Sequence, residues 1–218
     1  TVDVSKPTAE IQPTMYGIFF EDINFGADGG LYAELVKNRS FEFPQPFVGW
    51  VPFGNVSVQS EKPCFERNPH YVRVVNDGRL LRAGLDNEGF TGIGLKEGEE
   101  YRFSVYARTP DAAPMKLSVE LVRKDGSNPL KKTVEVKGDE WQKQTVILKS
   151  PFTDAHARLR IVLETKGTVD MDHISLFPVK TWKGRENGLR ADLAQALYDL
   201  NPGVLRFPGG CIIEGNSL

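Results

Sequence analysis

The sequence predicts a mostly β chain in which an antiparallel β-sandwich interrupts a βαβ unit, and three observations predict it. Between roughly residues 50 and 180, apolar side chains recur at every second position, the period of half-buried antiparallel strands. On each side of that region a short apolar strand lies next to a helical pattern. The two flanks resemble each other in style more than either resembles the middle, which is the mark of an insertion into a strand-to-strand crossover.

The first flank, residues 1–48, carries a strand at 15–20 and a Gly-rich turn at Gly26-Ala27-Asp28-Gly29-Gly30. Leu31 with Leu35, and Tyr32 with Val36, then fall four apart, so a short helix is expected over 31–38, closed by Asn38-Arg39-Ser40.

The middle, residues 49–180, reads as the sandwich. Tyr101, Phe103, Val105 and Ala107 alternate with Arg102, Ser104, Tyr106 and Arg108, and Leu117, Val119 and Leu121 alternate with Lys116, Ser118 and Glu120. Val146 with Leu148, and Leu159 with Ile161 and Leu163, continue the pattern. Turns are expected at Asp125-Gly126-Ser127-Asn128-Pro129 and Lys137-Gly138-Asp139. Val169 and Met171 are out of phase with Ile174 and Leu176, which predicts a bulge near Asp172-His173.

In the second flank, residues 181–218, the stripe Leu189, Leu193, Ala196, Leu197 and Leu200 predicts a helix over 188–201, stopped by Asn201-Pro202-Gly203. A buried strand is expected at 204–207.

Composition narrows the function. With 27 Lys+Arg against 29 Asp+Glu there is no basic field to gather phosphates or anionic lipid, so nucleic acid and membrane surfaces are not expected partners. Thr1-Val2-Asp3-Val4 lacks the basic and apolar regions of a signal peptide, and the chain is expected to be a mature one. Cys64 and Cys211 stand apart without a CxxC or neighbouring His, which suggests neither a metal cage nor a disulfide framework.

Candidate site residues follow from position. Glu21 comes directly after the first strand, at the carboxyl end where α/β barrels place their active sites, although a lone Glu there is more commonly a solvated loop carboxylate. Arg206 lies within the last strand and needs an acidic partner or a water-lined site if that strand is buried, or points to water if it is an edge. Pro208-Gly209-Gly210 makes a tight exit that carries Cys211 to the same end as Glu21; a lone Cys without His is more commonly a small buried apolar residue. On the sandwich, Trp50 and Phe90 are the candidate sugar-stacking residues among Phe47, Phe53 and Tyr71, while Trp141 is expected to pin the sandwich. Asp170 and Asp172 are candidates for a structural calcium; no other cofactor is expected.

Two long segments go beyond pattern. Tyr16-Gly17-Ile18-Phe19-Phe20-Glu21-Asp22-Ile23-Asn24, with Gly29-Gly30-Leu31-Tyr32-Ala33-Glu34-Leu35-Val36-Lys37-Asn38-Arg39-Ser40-Phe41-Glu42, resembles the start of the α-L-arabinofuranosidases of glycoside hydrolase family 51. Leu205-Arg206-Phe207-Pro208-Gly209-Gly210-Cys211-Ile212-Ile213-Glu214-Gly215 resembles that family's second barrel strand and its exit. Asn87-Glu88-Gly89-Phe90-Thr91-Gly92-Ile93-Gly94-Leu95, with residues 101–108 and 169–178, resembles the 4/9-type carbohydrate-binding module that many members carry between those segments; Phe25 stands where many members have His.

The resemblance implies a jelly-roll sandwich inserted in the first βαβ unit of an incomplete (β/α)8 barrel, in an enzyme that removes arabinofuranosyl groups from arabinan or arabinoxylan by a retaining mechanism. Its two catalytic glutamates then lie downstream of Leu218. Glu21 takes the place of a carboxylate that hydrogen-bonds arabinose hydroxyls, Cys211 that of a residue lining the same subsite, and Arg206 that of an arginine supporting the nucleophile from behind. The implied partners are an arabinose-containing polysaccharide or oligosaccharide and the rest of the barrel, in a secreted or periplasmic setting. The alternative from another class is a non-catalytic carbohydrate-binding protein acting through the sandwich, and a third is a sandwich that merely braces the barrel.

Overall fold

The structure, a computed structural model, describes residues 3–79, 81–127 and 130–210. Asn128 and Pro129 of an expected turn, and Cys211 with the segment after it, lie outside the described residues. In chain order the described elements are β1 (Gly17–Phe19), β2 (Trp50–Phe53), β3 (Asn55–Gln59), β4 (Tyr71–Asn76), β5 (Ala83–Asn87), β6 (Ile93–Leu95), β7 (Glu100–Arg108), β8 (Met115–Val122), β9 (Leu130–Val136), β10 (Gln142–Lys149), β11 (Asp154–Leu163), β12 (Gly167–Pro178), α1 (Ala191–Asp199) and β13 (Val204–Arg206).

Strands β2 to β12 form two antiparallel sheets, ordered β10-β7-β12-β4-β3 and β2-β5-β11-β8-β9, with β6 added to the edge of β11. Alternation in the sequence becomes a shared core. Tyr101, Phe103 and Val105 of β7, Leu117, Val119 and Leu121 of β8, and Leu159, Ile161 and Leu163 of β11 are all buried, none more than 5% exposed. Each such large side chain contributes about 1.5–3 kcal/mol through burial.

The outer faces are organised by charge. On the first sheet Asp170 of β12 stands between Arg73 of β4 and Arg108 of β7, accepting from Arg73 Nε at 2.6 Å and from Arg108 Nε at 2.9 Å. On the second the signs are exchanged: Arg160 of β11 lies between Asp86 of β5 and Glu120 of β8, and donates to Asp86 through Nε and Nη2, each at 2.7 Å. These rows cross three adjacent strands and hold their register.

The expected bulge is present. The β12–β7 register shifts between Asp172 and Ser175, and His173 has φ of 47°. Beyond the bulge β4 no longer accompanies β12, and its place is taken by residues 34–39: Leu35 N–H donates to Leu176 O at 3.0 Å, and Ile174 N–H donates to Arg39 O at 2.9 Å. The expected helix over 31–38 is therefore corrected to an extended strap. Its backbone groups pair with β12 and with the second flank, where Ala33 N–H donates to Gly188 O, and an α-helix would leave that strand edge unpaired. Glu34 fastens the strap from below, its buried carboxylate accepting from Ser175 Oγ, Leu176 N–H and Val36 N–H. Burial pushes its carboxyl above the usual range against those hydrogen bonds.

In the flanks, β1 and β13 pair in parallel, with Gly17 opposite Val204, Ile18 opposite Leu205 and Phe19 opposite Arg206. Helix α1 is shorter than expected, and Ala194 is its one buried residue; Leu193 and Leu200 of the apolar stripe are exposed, as is all of β13. No described helix is long and apolar enough to cross a membrane.

Replacing Asp170 with Ala leaves two guanidinium groups without their shared carboxylate, one of them on the buried Arg108. The expected loss is about 3–5 kcal/mol, read by urea unfolding. A loss below about 1 kcal/mol would mean that the arginines relax to water and that the row contributes little.

Candidate functional site

The parallel pairing continues past the strands as paired exits. Phe20 N–H donates to Arg206 O and Asp22 N–H to Pro208 O, each at 2.9 Å, so Glu21 leaves β1 beside the Pro-Gly-Gly exit of β13. Gly210 N–H donates to Glu21 Oε1 at 3.2 Å, closing a gap of 189 positions in sequence. Gly209 permits that approach: its φ is +148°, and a Cβ there would lie 2.6 Å from Glu21 Cγ. Cys211 follows directly in sequence but lies outside the described residues.

Arg206 sits on an exposed strand and lays its guanidinium over the Phe19 ring at 5.0 Å. It forms no ion pair among the described residues, which matches the edge-strand alternative in this chain. Glu21 is half-buried and its carboxylate receives a single hydrogen bond among the described residues, which leaves acceptor capacity toward the open end of the strand pair. A carboxylate so placed can orient hydroxyl donors. Among the described residues it has no second free carboxylate beside it, because Asp22 turns away to accept from Ala27 N–H at 2.8 Å. That loop-forming role of Asp22 was missed in the sequence, although an Asp ahead of a Gly-rich turn is a recognised signal for such a bond.

Of the sugar-stacking candidates on the sandwich, Trp50 needs correction. Trp50 is 4% exposed, stacks on Phe41 with ring centroids 5.4 Å apart and donates its indole N–H to Asn38 O at 2.8 Å. It is a core residue because both its apolar body and its one donor find partners inside. Phe90 is half-buried against Phe25 and Gly29 and, with Thr91, Gly92 and Lys96, lines an open recess of about 730 Å³. Trp141 pins the sandwich as expected: its N–H donates to Lys62 O at 3.1 Å, its edge meets Tyr71, and Arg108 covers one face at 4.5 Å. With Tyr71, Arg73, Glu61 and Asp139 it lines an open recess of about 410 Å³.

Asp170 and Asp172 do not form a cation-binding pair. Asp170 is taken up by two arginines, and no group of three His, Cys, Asp or Glu among the described residues is arranged around a metal position. Asp172, at the bulge, is buried with Oδ1 accepting from His173 N–H and Oδ2 unpartnered. Burial pushes its carboxyl up to about 7. Burial likewise pushes the Cys64 thiol up to about 12, the nearby Asp172 adding to the rise, so Cys64 is no thiolate nucleophile.

With this geometry in view, residues 33–170 match CBM_4_9, a carbohydrate binding domain family. The chain is similar to an extracellular exo-α-L-arabinofuranosidase of Streptomyces chartreusis, 38% identical over 100% of this chain and 26% of the relative. It is also similar to α-L-arabinofuranosidase 1 of Arabidopsis thaliana, 37% identical over 95% of this chain and 33% of the relative. Among solved structures, an arabinose-bound GH51 α-L-arabinofuranosidase superposes with a TM-score of 0.81 at 30% identity, covering 94% of this chain and 36% of that one. The CBM22-1–GH10 modules of a Clostridium thermocellum xylanase, at 20% identity and a TM-score of 0.51 over 68% of this chain and 29% of that one, share the fold. The chain thus spans between a quarter and a third of the length of these curated relatives.

The buried bulge has a pH consequence. Because the folded pKa of Asp172 lies above its ordinary value of 3.8, the folded chain keeps a proton that the unfolded chain releases; the stability this group contributes is complete below pH 3.8 and is lost as pH rises through about 7. His173, pushed down by burial, acts in the opposite sense and gains stability as pH rises toward its ordinary 6.5. Comparison with Asp172→Asn isolates the first effect: the variant is expected to gain on the parent between pH 4 and 8, by about 1.4 kcal/mol per unit of pKa displacement. Urea titrations across that range give the measurement, and parallel stability curves would show that Asp172 is not held protonated.

Proposed function

The chain belongs to the carbohydrate binding domain family CBM_4_9, and from that premise we propose that it is the N-terminal part of an α-L-arabinofuranosidase of glycoside hydrolase family 51. The enzyme hydrolyses terminal non-reducing α-L-arabinofuranosyl residues of arabinan or arabinoxylan with retention. One observation carries the reading: flanks and sandwich superpose together on an arabinose-bound arabinofuranosidase, rather than the sandwich alone. In this reading β1, α1 and β13 are the first βαβ unit of a (β/α)8 barrel made from residues 1–48 and 181–218, and residues 49–180 are an insertion in its crossover. The exposed apolar side chains of Leu193, Leu200, Leu205 and Phe207 support it, since they are the surfaces that further barrel elements would cover.

Retaining hydrolysis needs one carboxylic acid to protonate the departing glycosidic oxygen and one carboxylate to bond to the anomeric carbon; water then releases the sugar, with the first group acting as base. Both glutamates belong to the part of the enzyme beyond this sequence. This chain supplies the sugar's surroundings: Glu21 accepts hydrogen bonds from arabinose hydroxyls, Cys211 lines the same subsite and Arg206 supports the nucleophile from behind.

A second reading is a non-catalytic protein that binds polysaccharide through the sandwich. The family match over residues 33–170 favours it, and the recess beside Trp141 and Tyr71 gives it a location. Release of arabinose from an aryl arabinofuranoside by the full-length protein separates the two; titration of this chain with arabinan and xylo-oligosaccharides, with saturable binding abolished by Trp141→Ala, tests the recess as a binding site.

The 218-residue chain alone is expected to release no arabinose from an aryl arabinofuranoside; turnover that depends on one of its own glutamates would overturn the assignment of the chemistry to the remainder. In the full-length enzyme Glu21→Gln is expected to cost about 1–3 kcal/mol in kcat/KM, the range for a charge-assisted hydrogen bond. Loss of all measurable activity in a folded variant would instead make Glu21 a participant in bond cleavage.

A further inference from the structure

The turn between β5 and β6 is more firmly held than its exposed position requires. Asn87, fully buried, accepts from Gly89 N–H at 2.9 Å and from Lys37 N–H at 3.2 Å, and returns a bond to Lys37 O at 3.0 Å. Glu88 N–H donates to Gly49 O, and Gly92 N–H to Glu88 O. The side chain this turn presents is Phe90. Its ring lies so close to Gly29 that a Cβ there would stand 2.3 Å from Phe90 Cγ, and Gly29 has φ of +83°. Its other neighbour is Phe25, edge to face with centroids 5.3 Å apart, whose own ring is covered by Lys37 Nζ at 4.7 Å.

Phe25 and Gly29 belong to the loop that starts at Glu21. That loop is closed on itself by Ile23 N–H to Glu21 O at 2.9 Å, Gly26 N–H to Ile23 O at 3.0 Å and Leu31 N–H to Gly26 O at 2.9 Å. Its outer turn rests on Phe90, which comes from the sandwich. Phe90 is therefore placed to hold the loop at Phe25 and Gly29.

We propose that Phe90 is a positioning residue, by which the sandwich braces the loop of residues 21–30 and so fixes Glu21 where it meets the sugar. The positioning role rests on the reading of Glu21 as a sugar contact; the brace itself rests on the packing alone. The sandwich then contributes to the active site through one aromatic side chain set between a glycine and a phenylalanine, whether or not it binds polysaccharide itself. A Phe at position 90 serves because its flat ring fits over a residue without a Cβ.

Two measurements test it. In this chain, Phe90→Ala is expected to speed amide hydrogen exchange at Gly26, Ala27, Gly30 and Leu31 by about tenfold or more, with Val105 and Val119 in the sandwich core unchanged, because only the loop loses its support. Phe90→Leu, which restores apolar bulk, recovers most of the protection. Unchanged exchange in the loop overturns the proposal. In the full-length enzyme, Phe90→Ala is expected to raise KM for an aryl arabinofuranoside about tenfold with kcat changed less than about twofold, and Phe90→Leu again recovers most of it. A loosened loop with unchanged KM, in an enzyme where Glu21→Gln does raise KM, overturns the positioning role. If neither substitution moves KM, the sugar-contact reading of Glu21 is at fault; the positioning role falls with it, and the exchange result alone decides the brace.

Discussion

The structure depends on how the second half of β12 is paired. This strand lies inside its sheet, with β7 along one side, but the bulge at Asp172 to Ser175 turns it so that β4 accompanies only its first half. Backbone groups in the middle of a sheet cannot be left without partners at modest cost. The strap at 34–39 meets that requirement, and Glu34 beneath it satisfies Ser175 and Leu176 as well. Because the strap is the direct continuation of the loop that begins at Glu21, completing the sheet also fixes where that loop stands against the sandwich. One irregularity in one strand thereby couples the sandwich to the strand-pair end where Glu21 meets Gly210.

What was legible in the sequence follows from how local each cause is. The alternation in β7, β8 and β11 reports a single fact, a sheet with one face in the core, and it translated directly into Phe103, Val119 and Ile161 at full burial. The phase change in β12 was legible for the same reason, since a bulge alters the period within one strand. The strap was misread because Leu31, Tyr32, Leu35 and Val36 fit helical spacing equally well, and what decides against the helix is a free strand edge about 140 residues later, which no local pattern contains. Trp50 was misread for a related reason: an aromatic residue at the start of a strand carries no sign of which way it faces until Phe41 and the carbonyl of Asn38 are known to be beside it.

The site divides along the same line. Glu21 was legible from its place after a strand, although its role came only from resemblance, and its partner Gly210 follows once the two strands are taken as parallel neighbours. Phe90 was singled out for its aromatic ring, but its packing against the loop was not legible. Its contact with Gly29 joins positions 61 apart through two turns from different parts of the fold, and neither turn implies the other.

The division of stability between the parts bears on why a domain sits in a crossover at all. The sandwich has its own core and charge rows on both outer faces, whereas among the described flank elements α1 buries only Ala194, and β13 buries nothing. Elements with so little burial of their own cannot offset the chain entropy of ordering a parallel strand pair. They are held instead by the strap, which bonds to β12 of the sandwich, and by bonds from flank to flank, Ala33 N–H donating to Gly188 O and Arg190 N–H, at the start of α1, donating to Leu31 O. The bonds of residues 31–35 with Leu176, Gly188 and Arg190 bring both halves of the crossover to one surface. The sandwich therefore acts on the strand pair as a rigid closure of a long loop, shortening the effective connection between β1 and β13 from the whole insertion to residues 20–33 before the strap and residues 179–203 after β12.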